Sequence, residues 1–449
     1  MNKRRLNSTQ IIMLSFLGLI ALGSALLSLP CSAADGVRIP YIDALFTATT
    51  ATCVTGLVTL PVHSSWSFFG QVVILLLIQI GGLGVITILS GLMISLHKKL
   101  GIRDRMLLQD AFNLNTLSGI LRFTRRVILG SFLIEAVGAL LYMTVFIPEM
   151  GLRGVWVSLF TAVSAFCNAG IDIIGDTSLY AYVTDPMVSL VTCGLIVLGG
   201  IGFIVWWDVL RVLAPGRQTR RPLRRLTLHS KIALSVTAAL ILLGAGLFLL
   251  LEYHNADTLA PLTLPQKCMA ALFQSVTCRT AGFATIAQED LSNGSAVLSL
   301  LLMFIGGSPI GTAGGVKTVT FAVLIAAMVS TVRGRDEVVL FHRNISRDTV
   351  SKASAVVCMS FLILFLSTLV LAAVTEADAL DILYETTSAT ATVGLTRALT
   401  PTLELPGKLV ILVTMFLGRV GPISLAIAFN TGRKNINVIK NPTETISVG

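Results

Sequence analysis

Four short stretches of this chain repeat in a way that can do chemistry: TCVTGL at 52–57, FCNAGI at 166–171, CRTAGF at 278–283 and TATVGL at 390–395. Each holds one glycine at the same place, Gly56, Gly170, Gly282 and Gly394, and these lie 114, 112 and 112 residues apart. The shared residue has no side chain, so the chemistry is that of the backbone. Glycine reaches dihedrals closed to other residues and lets consecutive carbonyls turn toward one axis. A ring of such carbonyls replaces the hydration shell of a monovalent cation. The candidate lining residues are Cys53, Val54, Thr55 and Gly56; Cys167, Asn168, Ala169 and Gly170; Thr280, Ala281 and Gly282; and Thr392, Val393 and Gly394. The alternative, that the glycines only let helices pack closely, fits one glycine better than four in phase.

The elements that position these stretches follow from what flanks them. Each is preceded by small and hydroxylated residues, as in DALFTATTAT (43–52) and DILYETTSAT (381–390), and lies between long apolar runs. Runs long enough to span a bilayer fall at 11–29, 67–96, 127–147, 185–212, 232–252, 296–330, 353–374 and 407–430. The semi-polar segment between each pair cannot face lipid with its backbone unpaired and must be enclosed by protein or line water. The expected fold is an all-α polytopic membrane protein of four helix–pore-loop–helix repeats, eight spans in all, around a pseudo-fourfold pore. Its divisions are 1–100, 101–216, 217–335 with a broken second helix, 336–432, and a C-terminal tail, 433–449. A period this long excludes a solenoid and suits repeated membrane modules.

Composition agrees: 54% of residues are hydrophobic and 12% charged, with mean hydropathy +0.84, which excludes a soluble domain. The net charge of +10 is not that of a nucleic-acid binder, because its distribution is topological. Segments 1–10, 97–126, 211–231, 333–352 and 431–449 hold 25 of the 33 Lys and Arg residues, whereas fifteen of 23 acids lie on the opposite side. The positive-inside rule places both termini and the inter-repeat linkers in the cytoplasm of a multi-pass plasma-membrane protein. The acid-free linker 211–231 is read as an anchor on anionic lipid, with docking of a cytosolic partner as the alternative. Lys3, Arg4 and Arg5 before an apolar run also fit a signal peptide, but that run is needed as the first helix of the first repeat. Seven cysteines form no disulfide framework, and the five histidines have no metal-ligand spacing. The outward carboxylates Asp172, Asp176, Asp378, Asp381 and Glu385 are expected to concentrate cations at the mouth.

The second half of each repeat also echoes: IGGLG (80–84), LGGIG (198–202), IGGSPIGTAGG (305–315) and LGRVG (417–421). The first two are expected to be ordinary glycine-bearing helices. The third puts glycine and proline in mid-span, where a helix breaks into a loop. In the fourth, Arg419 stands where the others have a second glycine, and an arginine at membrane depth is costly and rarely idle. The loop offers free carbonyls and Arg419 five donors, so the two features are expected to meet. Glu135 sits within a span, where a proton or sodium relay competes with a local polar partner.

The four repeats with single-glycine motifs resemble the Trk/Ktr/HKT superfamily of potassium transport proteins over essentially the whole chain, and most closely its Ktr-type membrane subunit. The resemblance implies channel-like K⁺ permeation through a four-glycine filter. It implies potassium rather than sodium because Gly56 is not serine, with looser selectivity than a TVGYG filter gives. It implies a gate formed by Gly306, Gly307, Ser308, Pro309, Gly311, Thr312, Ala313, Gly314, Gly315, Lys317 and Arg419, and Arg279 bracing the third motif from behind. The family's SPGSTAGG here reads SPIGTAGG, Ile310 and Gly311 replacing Gly-Ser. The resemblance further implies a membrane homodimer, the tail 433–449 at its contact, on a cytosolic nucleotide-binding ring of the KtrA or KtrC kind, with nucleotide on that partner only and Na⁺ as activator. No P-loop, GxSxG, HExxH or phosphorylation motif marks an enzyme. The competing readings are a Na⁺- or H⁺-coupled carrier using Glu135 and the broken helix, a sodium-permeable relative, and a membrane scaffold indifferent to its glycines.

Overall fold

The computed structural model describes residues 7–96, 101–111, 119–213 and 225–421. The tail 433–449, the basic residues Lys3, Arg4 and Arg5, and most of the basic linker lie outside them. Within them one element order recurs four times. The first repeat runs α1 (Ser8–Leu27), α2 (Tyr41–Cys53), the single turn α3 (Val62–Ser65), α4 (Phe68–Leu83) and α5 (Val85–Ser95), followed by α6 (Ile102–Ala111). The second has α7 (Ile120–Met150), α8 (Arg153–Cys167), α9 (Pro186–Gly200) and α10 (Phe203–Leu213). The third has α11 (Leu228–Glu252), α12 (Leu264–Thr277), α13 (Asn293–Phe304) and α14 (Thr318–Val332), then a hairpin of β1 (Val338–Leu340) and β2 (Arg343–Ile345). The fourth has α15 (Arg347–Val374), α16 (Ala379–Ala391) and α17 (Leu405–Val420).

The opening helices α1, α7, α11 and α15 are long, apolar all round and little buried. Leu242, Leu243, Leu250, Phe361, Phe365 and Leu369 stay exposed on them, as expected of side chains solvated by lipid rather than water. The short helices α2, α8, α12 and α16 are the reverse. Most side chains on them are buried, including Thr49 and Thr50 on α2 and Ser158, Thr161 and Ser164 on α8. These hydroxyls sit inside because they can bond back to helix carbonyls, as Ser158 does to Gly154 and Thr49 to Leu45. The long apolar helices thus surround four shorter inner helices that are largely buried.

One expectation is corrected here. The second helices of the first two repeats are not ordinary. They turn by 93° between α4 and α5 and by 98° between α9 and α10. The turns fall at Gly84 (φ +89°) and Gly202 (φ +94°), and Gly421 at the end of α17 has the same kind of dihedral (φ +86°). The fifth residue of IGGLG and LGGIG is therefore a bend that only glycine takes without strain, and that of LGRVG shares its dihedral. All the second helices break or end at this level, and the third repeat differs in the length of its interruption, 305–317.

Polar clasps close each seam between repeats. Trp156 Nε1 donates to Gln71 Oε1 (2.9 Å) between the first and second. Leu179 N–H donates to the Ala284 carbonyl (3.0 Å) between the second and third. Arg397 Nη1 donates to the Gln288 carbonyl (2.9 Å) between the third and fourth. Lys408 Nζ meets Asp43 Oδ1 (2.6 Å) between the fourth and first.

Candidate functional site

The four inner helices end in the same way. Val54, Asn168, Thr280 and Thr392, each two residues before a repeated glycine, all take left-handed dihedrals, with φ of 56°, 58°, 68° and 52°. These are non-glycine residues in a sparsely populated region, held there by the packing around them. The turn reverses the chain and directs the next residues at a common centre. It is pinned by hydroxyls six positions before the glycine. Gly56 N–H donates to Thr50 Oγ1 and Gly394 N–H to Ser388 Oγ, both at 3.0 Å, and Ser164 Oγ accepts from Ile171 N–H at 3.1 Å. The third repeat has Val276 at that place and uses the next residue instead, Thr277 Oγ1 donating to the Phe283 carbonyl (2.5 Å).

At the centre the glycines and the carbonyls before them interleave in a closed cycle. A methyl group added at Gly56 would lie 2.6 Å from the Ala169 carbonyl oxygen, at Gly170 2.6 Å from that of Ala281, and at Gly282 2.5 Å from that of Val393. At Gly394 it would strike the Thr55 carbonyl. Each glycine is thus the seat of the next repeat's carbonyl, and all four have positive φ, between 63° and 100°. The negative ends of four helix dipoles converge on the same point. Packing also explains other glycines. Gly81, Gly199 and Gly418 of the second helices press against the Thr52, Phe166 and Thr390 carbonyls at the ends of their own inner helices.

On one side of the ring lies a cavity of about 260 Å³ bordered by all four glycines. Of the five expected carboxylates only Asp172 and Asp176 line it. Burial pushes the Asp172 carboxyl up to about 6, against the lowering effect of the Ile174 N–H. Asp381 is taken up in an ion pair with Arg397 (2.6 Å). Glu385 is fully buried and accepts from Thr396 Oγ1 (2.6 Å) and Thr400 Oγ1. Of the five expected mouth carboxylates, Asp381 and Glu385 are thus taken up by other partners, and Asp378 is the exposed N-cap residue of α16.

On the other side, toward the inter-repeat linkers, the loop 305–317 crosses beneath the ring. Its backbone is stitched to the second repeat: Ser308 N–H donates to the Gly200 carbonyl (2.8 Å), Thr312 N–H to that of Gly199 (3.1 Å), and Phe203 N–H to that of Ile310 (2.7 Å). Arg419 reaches in from the fourth repeat. It donates from Nη1 to the Thr312 carbonyl (2.7 Å) and from Nη2 to the Gly81 (2.5 Å) and Gly82 (3.1 Å) carbonyls of the first. Lys317 Nζ donates to the Ala313 (2.6 Å) and Gly314 (3.2 Å) carbonyls. Arg279 Nη2 donates to the Gly306 carbonyl (3.1 Å), joining the third motif to the loop. Ile310 carries the left-handed dihedral (φ +61°) that the following glycine does not take. A second cavity, of about 200 Å³, lies below and is bordered by Gly84, Thr87, Asp110, Ile310, Gly311 and Arg419.

The structure thus gathers Gly56, Gly170, Gly282 and Gly394 with the adjoining carbonyls, and separately gathers the loop, Lys317 and Arg419. Cys53 and Cys167 are the last residues of α2 and α8 rather than part of the turns. The carbonyls of Gly81, Gly82, Gly199 and Gly200, which hold the loop and Arg419, were not among the expected residues, and neither were Thr50, Ser164 and Ser388. The hydroxyl recurring six residues before three of the four glycines was a readable signal for the latter three.

A family model described as TrkH, a cation transport protein, matches residues 5–436. The chain belongs to this family. It is 40% identical to the Ktr system potassium uptake protein B of Bacillus subtilis, over 96% of this chain and 95% of that one. It is 39% identical to the potassium/sodium uptake protein NtpJ of Enterococcus hirae, over 100% and 98%. In fold it is similar to the crystal structure of the potassium transporter TrkH from Vibrio parahaemolyticus (TM-score 0.74, 18% identity, 96% of this chain and 87% of that one). Membership in this family makes the chain an integral membrane transporter and not an enzyme.

Proposed function

We propose that the chain is the ion-translocating membrane subunit of a Ktr-type potassium uptake system. Potassium passes through the ring of Thr55, Ala169, Ala281 and Val393 carbonyls, with the four glycines as the selectivity filter. The observation that carries this reading is the cyclic interleaving, each repeat's glycine seating the next repeat's carbonyl. Oxygen atoms fixed around one axis, with four helix C-termini behind them, favour a cation and reject an anion. Asp172 and Asp176 raise the local cation concentration on the outer side.

The loop from Gly306 to Lys317, with Arg419, is the gate. Its place at the border of the inner cavity, and its bonds to the second repeat and to Arg419, which in turn holds the first, support that role. The repeats divided at 100/101, 216/217 and 335/336 then share one filter and one gate. The chain sits in the plasma membrane with the linkers and both termini cytoplasmic, as the basic residues direct. It works as a homodimer on a cytosolic nucleotide-binding ring, in keeping with relatives named as parts of a Ktr system. Sodium acts as a second cation; the relative named a potassium/sodium uptake protein favours sodium entry as well as potassium.

The test is K⁺ flux into liposomes holding this subunit alone, compared with a variant lacking 309–315. Faster flux with K⁺ still preferred supports the loop as gate and the ring as filter. Unchanged or abolished flux makes the loop a packing or coupling element and moves a carrier mechanism ahead.

A further inference from the structure

Glu135 is 2% exposed in the middle of α7, and neither the ring nor the loop uses it. Among the described residues it makes no ion pair. Its partner is an amide: Gln79 Nε2, on α4 of the first repeat, donates to both carboxylate oxygens, at 3.0 and 3.2 Å. The other end of that amide, Gln79 Oε1, accepts from Cys167 Sγ at 3.8 Å. Cys167 is the last residue of α8, and the turn Asn168–Ala169–Gly170 begins immediately after it. Gly82, one turn further along α4, leaves room for that sulfur: a methyl there would lie 2.7 Å from Cys167 Sγ. A chain of polar contacts therefore runs from a lipid-side helix to the root of the second repeat's carbonyl.

The third repeat also joins a cysteine near its turn to a glutamine, with the bond running the other way and within one helix turn. Gln274 Nε2 donates to Cys278 Sγ (3.5 Å) at the end of α12, and the Gln274 amide is held by Gln288 through bonds of 2.6 and 3.2 Å. Gln288 in turn accepts from Tyr384 Oη (3.0 Å). In both repeats a cysteine at the root of the turn meets a glutamine, and the glutamine is oriented by a buried acceptor. In one repeat that acceptor is a neutral amide. A neutral acceptor thus suffices to hold such an amide in the third repeat, and a carboxylate can hold Gln79 through the same kind of bond without its charge being needed.

We infer that Glu135 is a positioning residue for ion selection: by orienting Gln79 it fixes Cys167 and with it the Ala169–Gly170 segment of the ring. This rests on the filter reading above. A misplaced carbonyl in a ring of four weakens discrimination between cations of different size before it abolishes passage. A relay or a coupling-ion site would instead depend on the carboxylate itself.

The experiment measures K⁺ and Na⁺ flux into proteoliposomes for the full chain and a short variant series. Glu135→Ala and Gln79→Ala are each expected to lower the K⁺:Na⁺ ratio by roughly threefold to tenfold, the scale of one buried hydrogen bond. The double variant should fall no further than either single one, and Glu135→Gln should restore the wild-type ratio. Glu135→Gln as damaging as Glu135→Ala overturns the inference, because charge rather than hydrogen bonding is then required. An unchanged ratio in Glu135→Ala overturns it too, provided Gly170→Ala changes the ratio. If Gly170→Ala leaves the ratio unchanged, the filter reading itself has failed, and this inference fails with it. Cys167→Ala cuts the chain at its other end: a lowered ratio there supports the inference even if Glu135→Ala does not fold, and an unchanged one overturns it.

Discussion

The glycine ring and the layer beneath it draw on the same four repeats to opposite ends. At the ring every repeat contributes one carbonyl and one glycine in matching geometry, and even the strained turn residue recurs in phase. One layer down, the first two repeats contribute a bent helix, the third an extended loop, and the fourth an arginine. Equivalence suits a group of oxygens that must surround one spherical ion evenly. Inequivalence suits the gate proposed above, because a single loop held by a few bonds can change arrangement without disturbing four matched copies.

The largest expected effects come from breaking the symmetric layer. Gly56→Ser or Gly170→Ala places a side-chain atom against the neighbouring carbonyl and puts an L-residue at a positive φ, a strain of about 1–3 kcal/mol. K⁺ preference over Na⁺ should fall at least about tenfold, the equivalent of about 1.4 kcal/mol, in paired flux measurements. Similar losses from all four glycines would sharpen the comparison, and a loss confined to one would break it.

Arg419→Ala is the next largest and should act differently. It removes a cation and three bonds to backbone carbonyls, each charge-assisted and worth about 1.5–3 kcal/mol where buried. K⁺ flux by the subunit alone should rise by roughly tenfold or more with the K⁺:Na⁺ ratio little changed, and Arg419→Lys should fall between. A lost ratio with unchanged flux would assign Arg419 to the upper layer.

A smaller effect is expected at Ile310, whose left-handed dihedral costs about 1–2 kcal/mol in a residue other than glycine. If opening releases that strain, Ile310→Gly steadies the closed loop. Basal flux should then drop roughly fivefold, as about 1 kcal/mol implies, less whatever packing is lost. Higher flux in Ile310→Gly would mean the side chain's packing, not its backbone, holds the loop.

The smallest effect concerns the outer cavity. Asp172 titrates near 6, so it is charged at pH 7 and mostly neutral at pH 5. Flux at subsaturating K⁺ should decline by about twofold as the outer pH falls across that window, through loss of local attraction. Asp172→Asn should be low and flat across it; an undiminished pH response in that variant would place the titrating group elsewhere.

The ring was legible because it is written in residue identity: only glycine seats a neighbour's carbonyl, so the requirement shows as a letter repeated at a fixed interval. Arg419 and the expanded third motif stood out as departures from that pattern. The bends at Gly84 and Gly202 were hidden because hydropathy records composition and not dihedral angle, and 67–96 and 185–212 read as unbroken apolar runs. The fates of Asp381 and Glu385 were hidden for another reason. Their partners Arg397, Thr396 and Thr400 lie across a turn, at separations no helical or strand period marks. The bonds of Arg419 to Gly81 and Gly82 join residues 338 and 337 apart, which no local pattern can announce.

The ion pair between Asp43 and Lys408 spans 365 residues, and this sets the order in which the molecule can be made. The first repeat presents its half of the seam before the other three are made, yet the answering lysine comes only with the fourth. Until then Asp43 lacks its counter-charge, and the Thr55 carbonyl lacks its seat at Gly394. A chain cut before the fourth repeat is therefore not a weak version of the finished one but an unclosed one, with Asp43 left without Lys408 and the ring of carbonyls incomplete.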